Sequence, residues 1–209
     1  MANNLTDIYT GVKKADPNRR KNDFYPTPPL ATFILGKYCP PPKNVVEPCA
    51  GRGNISKQLQ RMGHSVKSYD LNSYDNPLVD IETGVDAMEL QAPEFHGVVT
   101  NPPYHKDLPR KLAEKWIPEY EYTAMFLRIT FLEGKKRKKL FTKHKPSSII
   151  FLSDRVKFSA DHIEPIEKID QIGGMIAYMW IVWNHHPSVC TKLQWVSLED
   201  NYDEWKKTI

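Results

Sequence analysis

The chain reads Asn44-Val45-Val46-Glu47-Pro48-Cys49-Ala50-Gly51-Arg52-Gly53-Asn54 where its first apolar run meets a pair of glycines. Residues 44–47, with Val45 and Val46 at their centre, predict a buried strand that ends before Pro48, because proline has no N–H to donate to a sheet. Residues 55–62 follow with the spacing of a short helix. A strand, a glycine turn and a helix in this order bring backbone close to a ligand at the helix N-terminus. The unit therefore predicts an α/β sheet with a ligand site at its first turn.

The glycine turn also restricts the kind of cofactor. Gly51 and Gly53 supply the tight turn and the close approach, but the third glycine of the dinucleotide fingerprint is absent. An NAD site is therefore disfavoured, whereas a nucleoside cofactor without a pyrophosphate fits. The next strand, predicted over 65–69, ends at Asp70, about 20 residues beyond Gly51, where a carboxylate can accept hydrogen bonds from both ribose hydroxyls.

Further acidic residues follow Asp70. A third short strand is predicted over 78–81, and Asp86 lies in the loop after it. Asp86 is our candidate acceptor for an adenine amino group, and Asp80 and Glu82 compete with it for this role.

The second motif is Val98-Val99-Thr100-Asn101-Pro102-Pro103-Tyr104. Its first three residues predict a short buried strand that the prolines end, so that Asn101 lies at a strand's carboxyl end, where open α/β sheets bind ligands. The Asn101 side-chain oxygen and the Pro102 carbonyl are both acceptors, and neither proline supplies a donor. Two converging acceptors can hold the hydrogens of a planar –NH2 group and direct its nitrogen towards an electrophile.

Tyr104 places a flat ring next to these acceptors. The ring that carries the amine can stack on it, which is worth about 1–3 kcal/mol for a base. Pro102 and Pro103 keep the backbone extended and thereby fix the directions of the Asn101 amide and the Tyr104 ring. The alternative is a tight strand-to-loop turn with an exposed tyrosine, since Asn-Pro frequently begins a turn.

The rest of the chain alternates between helical and strand patterns. These patterns predict helices over 30–38 and 108–120, strands over 122–131, 147–152 and 175–183, and a C-terminal helix around 200–207. Six or seven strands with intervening helices give an α/β doubly wound fold whose last strands are antiparallel. Five consecutive cations at 135–139 are typical either of a phosphate-binding edge or of a solvated helix face.

Length and composition limit the remaining possibilities. The 209 residues predict one globular domain with extensions, preceded by a basic arm over 1–22, and the net charge of +4 permits a polyanionic partner. No apolar run approaches the roughly 20 residues of a membrane span, and the arm lacks the apolar segment of a secretion signal. Cys39, Cys49 and Cys190 are scattered and odd in number, which predicts free thiols in a reducing cytoplasm. The sequence contains no cluster of Cys and His residues of the kind that binds a metal.

Four segments together resemble the S-adenosylmethionine-dependent amino-methyltransferases of DNA: Tyr25-Pro26-Thr27-Pro28, Glu47-Pro48-Cys49-Ala50-Gly51-Arg52-Gly53, Asp70 and Asn101-Pro102-Pro103-Tyr104. Their order, with the proline loop first, is similar to that of the adenine-N6 branch, particularly of small phage-type enzymes. The resemblance covers residues 23–183. It implies the Rossmann-like class I methyltransferase fold, a seven-stranded, mostly parallel sheet with an antiparallel last strand. The catalytic domain would span 23–187, with a C-terminal extension over 188–209. The protein would act in the cytoplasm of a bacterium, either its own or the host of a phage.

The resemblance also implies roles for individual residues. Asp70 would bind the ribose of S-adenosylmethionine and Asp86 its adenine. The full set that it assigns to the cofactor is Tyr25, Thr27, Glu47, Pro48, Ala50, Gly51, Gly53, Asp70, Asp86 and Asn101. The set that it assigns to the reaction is Asn101, Pro102, Pro103 and Tyr104. Tyr104 and Phe158 would contact the two faces of the target base.

The implied reaction is direct displacement of a methyl group onto N6 of adenine in DNA. It needs no covalent enzyme intermediate and no metal, so that catalysis is mostly positioning. A base inside a duplex must first be flipped out, at a cost of a few kcal/mol.

Other readings stay open, because the same Asn-Pro-Pro-Tyr occurs in methyltransferases that act on RNA bases, on cytosine N4 and on protein glutamine, whose amide is also a planar –NH2. A non-enzymatic nucleic-acid-binding module with a vestigial cofactor pocket is a further alternative. The sequence specifies neither a recognition site nor an oligomeric state.

Overall fold

The fold is described from a computed structural model that covers residues 24–158, 167–185 and 190–209. The predicted arm over 1–22 and the predicted domain boundary at 187/188 lie outside these residues. The helices and strands within them are, in chain order, α1 (Pro29–Tyr38), β1 (Asn44–Glu47), α2 (Asn54–Arg61), β2 (Ser65–Asp70), β3 (Ile81–Thr83), β4 (Gly97–Thr100), α3 (Leu108–Glu119), β5 (Tyr122–Arg128), α4 (Lys135–Lys143), β6 (Ser148–Leu152), β7 (Tyr178–Asn184), β8 (Lys192–Val196) and α5 (Leu198–Lys206). Short 3₁₀ turns cover Ile129–Leu132 and Lys168–Asp170.

Within the described ranges the strands form one mixed sheet in the order β3-β2-β1-β4-β5-β7-β6-β8. The first five positions are joined by parallel pairs, β7 runs antiparallel to both of its neighbours, and β8 pairs parallel with β6. The strand order reverses between β1 and β4. In a doubly wound sheet the crevice at this reversal, outside the carboxyl ends of the strands, is the usual ligand site.

Helices cover both faces of the sheet, and successive strand residues point to opposite faces. Val45 of β1 joins a buried cluster with α1, α2 and α5, whereas Val46 joins a second cluster with α3 and α4. In β5, Phe126 joins the first cluster and Leu127 joins the second. Each fully buried aliphatic side chain of this kind stabilises the fold by roughly 1.5–3 kcal/mol. The two clusters hold the central strands, and therefore the loops at their carboxyl ends, in fixed positions.

The prediction of an α/β Rossmann-like fold is confirmed, but the prediction of seven strands is wrong. An eighth strand, β8, pairs with β6 at the edge of the sheet, so that the antiparallel strand β7 is not the last one. Leu193 and Trp195 of β8 alternate with polar residues, as in a strand, but both are exposed, so no buried apolar run marks this segment as part of the sheet. The segment then continues into α5, whose Trp205 is fully buried and donates to Gln58 Oε1 of α2 at 3.0 Å.

Other boundaries differ by a few residues. The third strand is Ile81–Thr83 instead of 78–81, because three largely exposed residues carry no apolar signal. The strand predicted over 122–131 ends at Arg128, and its apolar remainder is a 3₁₀ turn that buries Phe131. The strand predicted over 175–183 begins at Tyr178. No helix in the described part of the chain is long and apolar enough to cross a membrane.

Candidate active site

A cavity opens at the carboxyl ends of β1, β2 and β4, where the strand order reverses. It brings together residues that are up to 88 positions apart in the chain, from Phe24 to Leu112. The predicted site residues that line it are Tyr25, Thr27, Glu47, Pro48, Ala50, Gly51, Asp70, Asp86, Asn101 and Pro103. The predicted residues that do not line it are Gly53, Pro102, Tyr104 and Phe158.

The glycine turn after β1 is left-handed at both glycines, with φ of +58° at Gly51 and +85° at Gly53. A side chain at Gly51 would come within 2.8 Å of the Phe24 ring, so that a glycine keeps this wall of the cavity open. Gly53 faces away from the cavity, because a Cβ there would meet Val79 at 2.4 Å. Gly53 is instead the residue from which α2 begins.

Asp70, at the end of β2, is buried beside this turn. Its Oδ2 accepts the Gly51 N–H at 2.7 Å and its Oδ1 accepts the Asn72 N–H at 2.8 Å. Burial raises the pKa of the carboxyl, and the two backbone N–H groups oppose that rise. Each carboxylate oxygen has two lone pairs, so that each retains one for a ligand hydroxyl.

Glu47, at the end of β1, is also fully buried. Its Oε2 accepts the Ser56 N–H at 2.9 Å and the Ser56 hydroxyl, which ties the end of β1 to the first turn of α2. Burial raises the pKa of Glu47 to about 8, and the hydrogen bonds from Ser56 only partly offset this. The carboxyl is therefore largely protonated at neutral pH, and its principal contact is structural.

Cys49 follows Pro48 in the same turn. Burial, together with the negative charge of Asp70, raises the pKa of its thiol well above the ordinary range. A thiol that stays protonated is a poor nucleophile, so Cys49 is unsuited to covalent catalysis.

Of the three acidic residues that were candidates for binding adenine, one lines the cavity and two do not. Asp86 lines the cavity, and its Oδ1 accepts the Met88 N–H at 2.8 Å. Asp80 and Glu82 do not line it, and Glu82 pairs with Lys67 at 3.2 Å.

Asn101 is the residue at which the motif after β4 contacts the proline loop 25–28. Its Nδ2 donates to the Tyr25 carbonyl at 3.0 Å and to Thr27 Oγ1 at 2.9 Å. The Tyr25 carbonyl can only accept, so this contact assigns the nitrogen of the amide to that side and the oxygen to the other. Directly after this loop, the Gln171 side chain accepts the Leu30 N–H at 2.9 Å and so holds the start of α1.

The Asn101 oxygen accepts a hydrogen bond from the Tyr104 hydroxyl. The same hydroxyl lies 3.1 Å from the Phe126 carbonyl, and one O–H can donate to only one of these acceptors at a time. The Arg128 guanidinium lies over the Tyr104 ring at 4.9 Å from its centroid. Tyr104 therefore connects the acceptor oxygen of Asn101 to the end of β5.

Phe158 belongs to an aromatic group on the same side. Its ring is edge-on to Tyr178 at 4.9 Å and to Tyr25 at 5.6 Å. Tyr178 is buried, lies 5.9 Å from Tyr104, and its hydroxyl accepts from Arg128 Nε at 3.3 Å. The structure thus brings Tyr104 and Phe158 into one aromatic group, centred on Tyr178.

Several cavity residues are not among the predicted site residues. Phe24 stacks on Tyr74 with ring centroids 4.5 Å apart, and both rings line the cavity, although 50 residues separate them. Leu71 and Asn72 also line it, and their position directly after Asp70 was the available indication. Arg128 could not have been found, because its role depends on the β5–β7 register that pairs it with Tyr178.

No family model matches the sequence, and no curated protein matches it. Solved structures are similar at low identity. The modification subunit assigned to a type I restriction enzyme of Vibrio vulnificus has a TM-score of 0.52 at 12% identity, over 83% of this chain and 47% of that chain. A protein described as an RNA methyltransferase of Pyrococcus horikoshii has a TM-score of 0.51 at 12% identity, over 76% and 81%. An S-adenosylmethionine-dependent O-methyltransferase of Thermotoga maritima has a TM-score of 0.50 at 13% identity, over 82% and 70%. The chain shares the Rossmann-like α/β fold of solved methyltransferases.

Proposed function

We propose that the protein is an S-adenosylmethionine-dependent methyltransferase that modifies the exocyclic N6 amine of adenine in DNA. The observation that carries the proposal is the fixed amide of Asn101. Tyr25 and Thr27 hold its nitrogen, and its oxygen accepts a hydroxyl donor at the edge of the cavity. That oxygen has a second lone pair, which suits an N–H of a planar amine.

The residues of the cavity fit the proposed cofactor. The Asp70 carboxylate retains lone pairs for ribose hydroxyls, the left-handed turn at Gly51 leaves backbone exposed, and Asp86 lies further along the wall. The segment from 68 to 95 contains seven Asp and Glu residues and no Lys or Arg, which favours a cationic ligand over a phosphorylated one. When bound, S-adenosylmethionine supplies a methyl carbon that its sulfonium centre makes electrophilic.

The chain's own contribution is positioning. The Asn101 oxygen holds one hydrogen of the amine, and Pro102 is expected to hold the other with its carbonyl, so that the nitrogen lone pair faces the cofactor side. In such a transfer the methyl group would form its bond to the amine nitrogen as its bond to sulfur breaks, the sulfur would keep the electron pair, and the nitrogen would then release a proton to solvent. Holding reactants in such alignment accounts for roughly 7–11 kcal/mol of barrier reduction in well-oriented systems.

The experiment that tests this proposal is transfer of a labelled methyl group to unmethylated duplex DNA, RNA and a protein mixture, each in its own reaction. We expect label in DNA, recovered after digestion as a methylated adenine nucleoside. Asn101 can hold any planar amine, so label in RNA or on a glutamine side chain would favour one of the other acceptors over DNA. Absence of transfer to all three, with intact cofactor binding, would favour a binding module.

A further inference from the structure

One surface beside the site is not used by the proposed reaction. It is the outward face of α4 together with the loop that follows Tyr104, and we call it the α4 face. Its exposed lysines include Lys106, Lys135, Lys136, Lys138 and Lys139. Lys135, Lys138 and Lys139 have the i, i+3, i+4 spacing of one helix face, opposite the buried Leu140.

The α4 face lies next to the target side of the site. Lys136 Nζ, in the first turn of α4, is 3.2 Å from Asp107 Oδ2, and Asp107 is three residues beyond Tyr104. From the other direction, α4 follows β5 through the 3₁₀ turn that begins at Ile129, directly after Arg128. Both chain connections of the α4 face therefore lead to residues that contact each other, Tyr104 and Arg128.

The arrangement of charge is unfavourable for the isolated helix. The cations crowd the N-terminal half of α4, and its first turn contains no acidic residue. The helix dipole makes a helix N-terminus a favourable place for anions and an unfavourable one for cations. Such a local conflict is expected where a surface binds a ligand of opposite charge.

Nearby carboxylates do not neutralise this charge. Asp107 is already bound by Arg110, through contacts of 2.7–3.0 Å, and by Lys136, and these hydrogen bonds lower its pKa to about 2. Across the described ranges, Lys135, Lys138 and Lys139 form no ion pair with a carboxylate. The face therefore presents uncompensated positive charge.

Apolar side chains are exposed next to the same face. Ile129 is 43% exposed, and its N–H donates to the Ala177 carbonyl at 3.1 Å, which brings its backbone to the segment that contains Met175 and Ile176. Met175 is 89% exposed and Ile176 is 41% exposed. Exposed apolar side chains beside a cationic rim are typical of a contact surface, whereas a merely solvated helix face has no need of them.

We infer that the α4 face binds the phosphodiester backbone of the nucleic acid whose base enters the site. The inference rests on the proposed function, which supplies the nucleic acid, and it adds where the backbone lies and which lysines hold it. The acidic segment 68–95 repels phosphates, so the backbone crosses the site on the α4 side only. Each lysine that meets a phosphate contributes affinity without regard to sequence.

The test is the affinity of the full chain for a fluorescent duplex DNA, measured by anisotropy without cofactor at several salt concentrations. The variant K135Q/K138Q/K139Q is compared with the matched control K43Q/K192Q/K207Q, which removes the same charge from lysines exposed elsewhere. We expect the α4 variant to lose at least 10-fold in affinity, and its log–log salt slope to fall by about 2–3, since each phosphate contact contributes about 0.9. The control should change by less than about 3-fold, as only the long-range field is altered.

Two further measurements distinguish the possible failures. Cofactor affinity by calorimetry should be equal in the wild type and in both variants, which shows that the fold is retained. Poly-L-glutamate at equal charge should not displace the DNA, and if it does, the face binds acidic protein and the inference is wrong. Equal loss in the two variants also overturns the inference, but leaves methyl transfer by the wild type, and with it the proposed function, untouched.

Discussion

Two chain segments that contribute to the cavity carry opposite charge. Residues 68–95, from β2 to the start of β4, contain seven acidic residues and no Lys or Arg, a net charge of −7. Residues 104–145, from Tyr104 through α4, contain twelve Lys and Arg and five acidic residues, a net charge of +7. The whole chain carries only +4, so this division is invisible in the composition. The division suits the proposed function, in which a cationic cofactor meets the acidic segment and a polyanionic substrate meets the basic one.

The two sides also differ in how they are held together. On the cofactor side, Asp70 and Glu47 are satisfied by backbone and hydroxyl groups of the adjacent turn and helix. On the target side, Asn101 depends on Tyr25 and Thr27, more than 70 residues away. The cofactor side is therefore a local structure, whereas the target side requires the whole fold. Substitutions on the two sides should accordingly have separable effects.

The largest effect is expected from Asn101→Ala. It removes the acceptor for the amine, and we expect methyl transfer to fall by at least about 100-fold, as for a misplaced reacting group. Because the Asn101 amide also holds loop 24–28, cofactor affinity should weaken slightly. The matched variant Thr27→Val removes one of the contacts to that amide and leaves the acceptor oxygen, so it should retain most of the transfer activity. Equal losses of transfer in the two variants would show that the loop, and not the oxygen, is what matters.

Asp70→Asn should weaken the binding of the cofactor and leave the binding of DNA unchanged. A hydrogen bond to a charged group contributes about 1.5–3 kcal/mol, so cofactor affinity should fall by roughly 10- to 150-fold. Affinity for duplex DNA should not change. Calorimetry with the cofactor and anisotropy with DNA measure the two quantities separately, and parallel losses in both would contradict the division of the site.

Tyr104→Ala tests the aromatic part of the target side. Stacking of a base is worth about 1–3 kcal/mol, which corresponds to roughly 5- to 150-fold in kcat/KM for the DNA substrate. Tyr104→Phe keeps the ring and loses only the hydroxyl that donates to Asn101. The phenylalanine variant should therefore remain much closer to wild type, and an alanine variant with normal kinetics would exclude stacking.

The last prediction concerns stability instead of activity or binding, and it is a pH dependence that arises from Glu47. Its pKa rises from 4.5 to about 8 on folding, so between these values the folded protein holds the proton that the unfolded chain releases. The free energy of unfolding should therefore fall as pH rises through this window, by at most about 1.4 kcal/mol per pH unit. Glu47→Gln should reduce the slope in denaturant titrations at pH 5, 6.5 and 8. An unchanged slope would mean that the carboxylate is already ionised in the folded protein.

The contrast between local structure and tertiary contacts also explains which features could be predicted from the sequence. The bounds of β1 were predicted to the residue, because Val45 and Val46 are flanked by a proline and the glycine turn is a local signal. β3 was misplaced and β8 was missed, because both are largely exposed edge strands and neither contains the continuous apolar run of the central strands. The support of Asn101 by Tyr25, and the place of Arg128 over Tyr104, arise from tertiary contacts that no local pattern encodes.

The central claim is that the Asn101 oxygen orients an exocyclic amine towards the methyl donor. It is tested most directly by locating the transferred methyl group on the base, using two duplexes that differ only in whether the target base is adenine or purine, which lacks the 6-amino group. We expect labelled N6-methyladenine from the first duplex and no transfer to the second. Label on a ring nitrogen or carbon, or equal labelling of the purine duplex, would contradict the account.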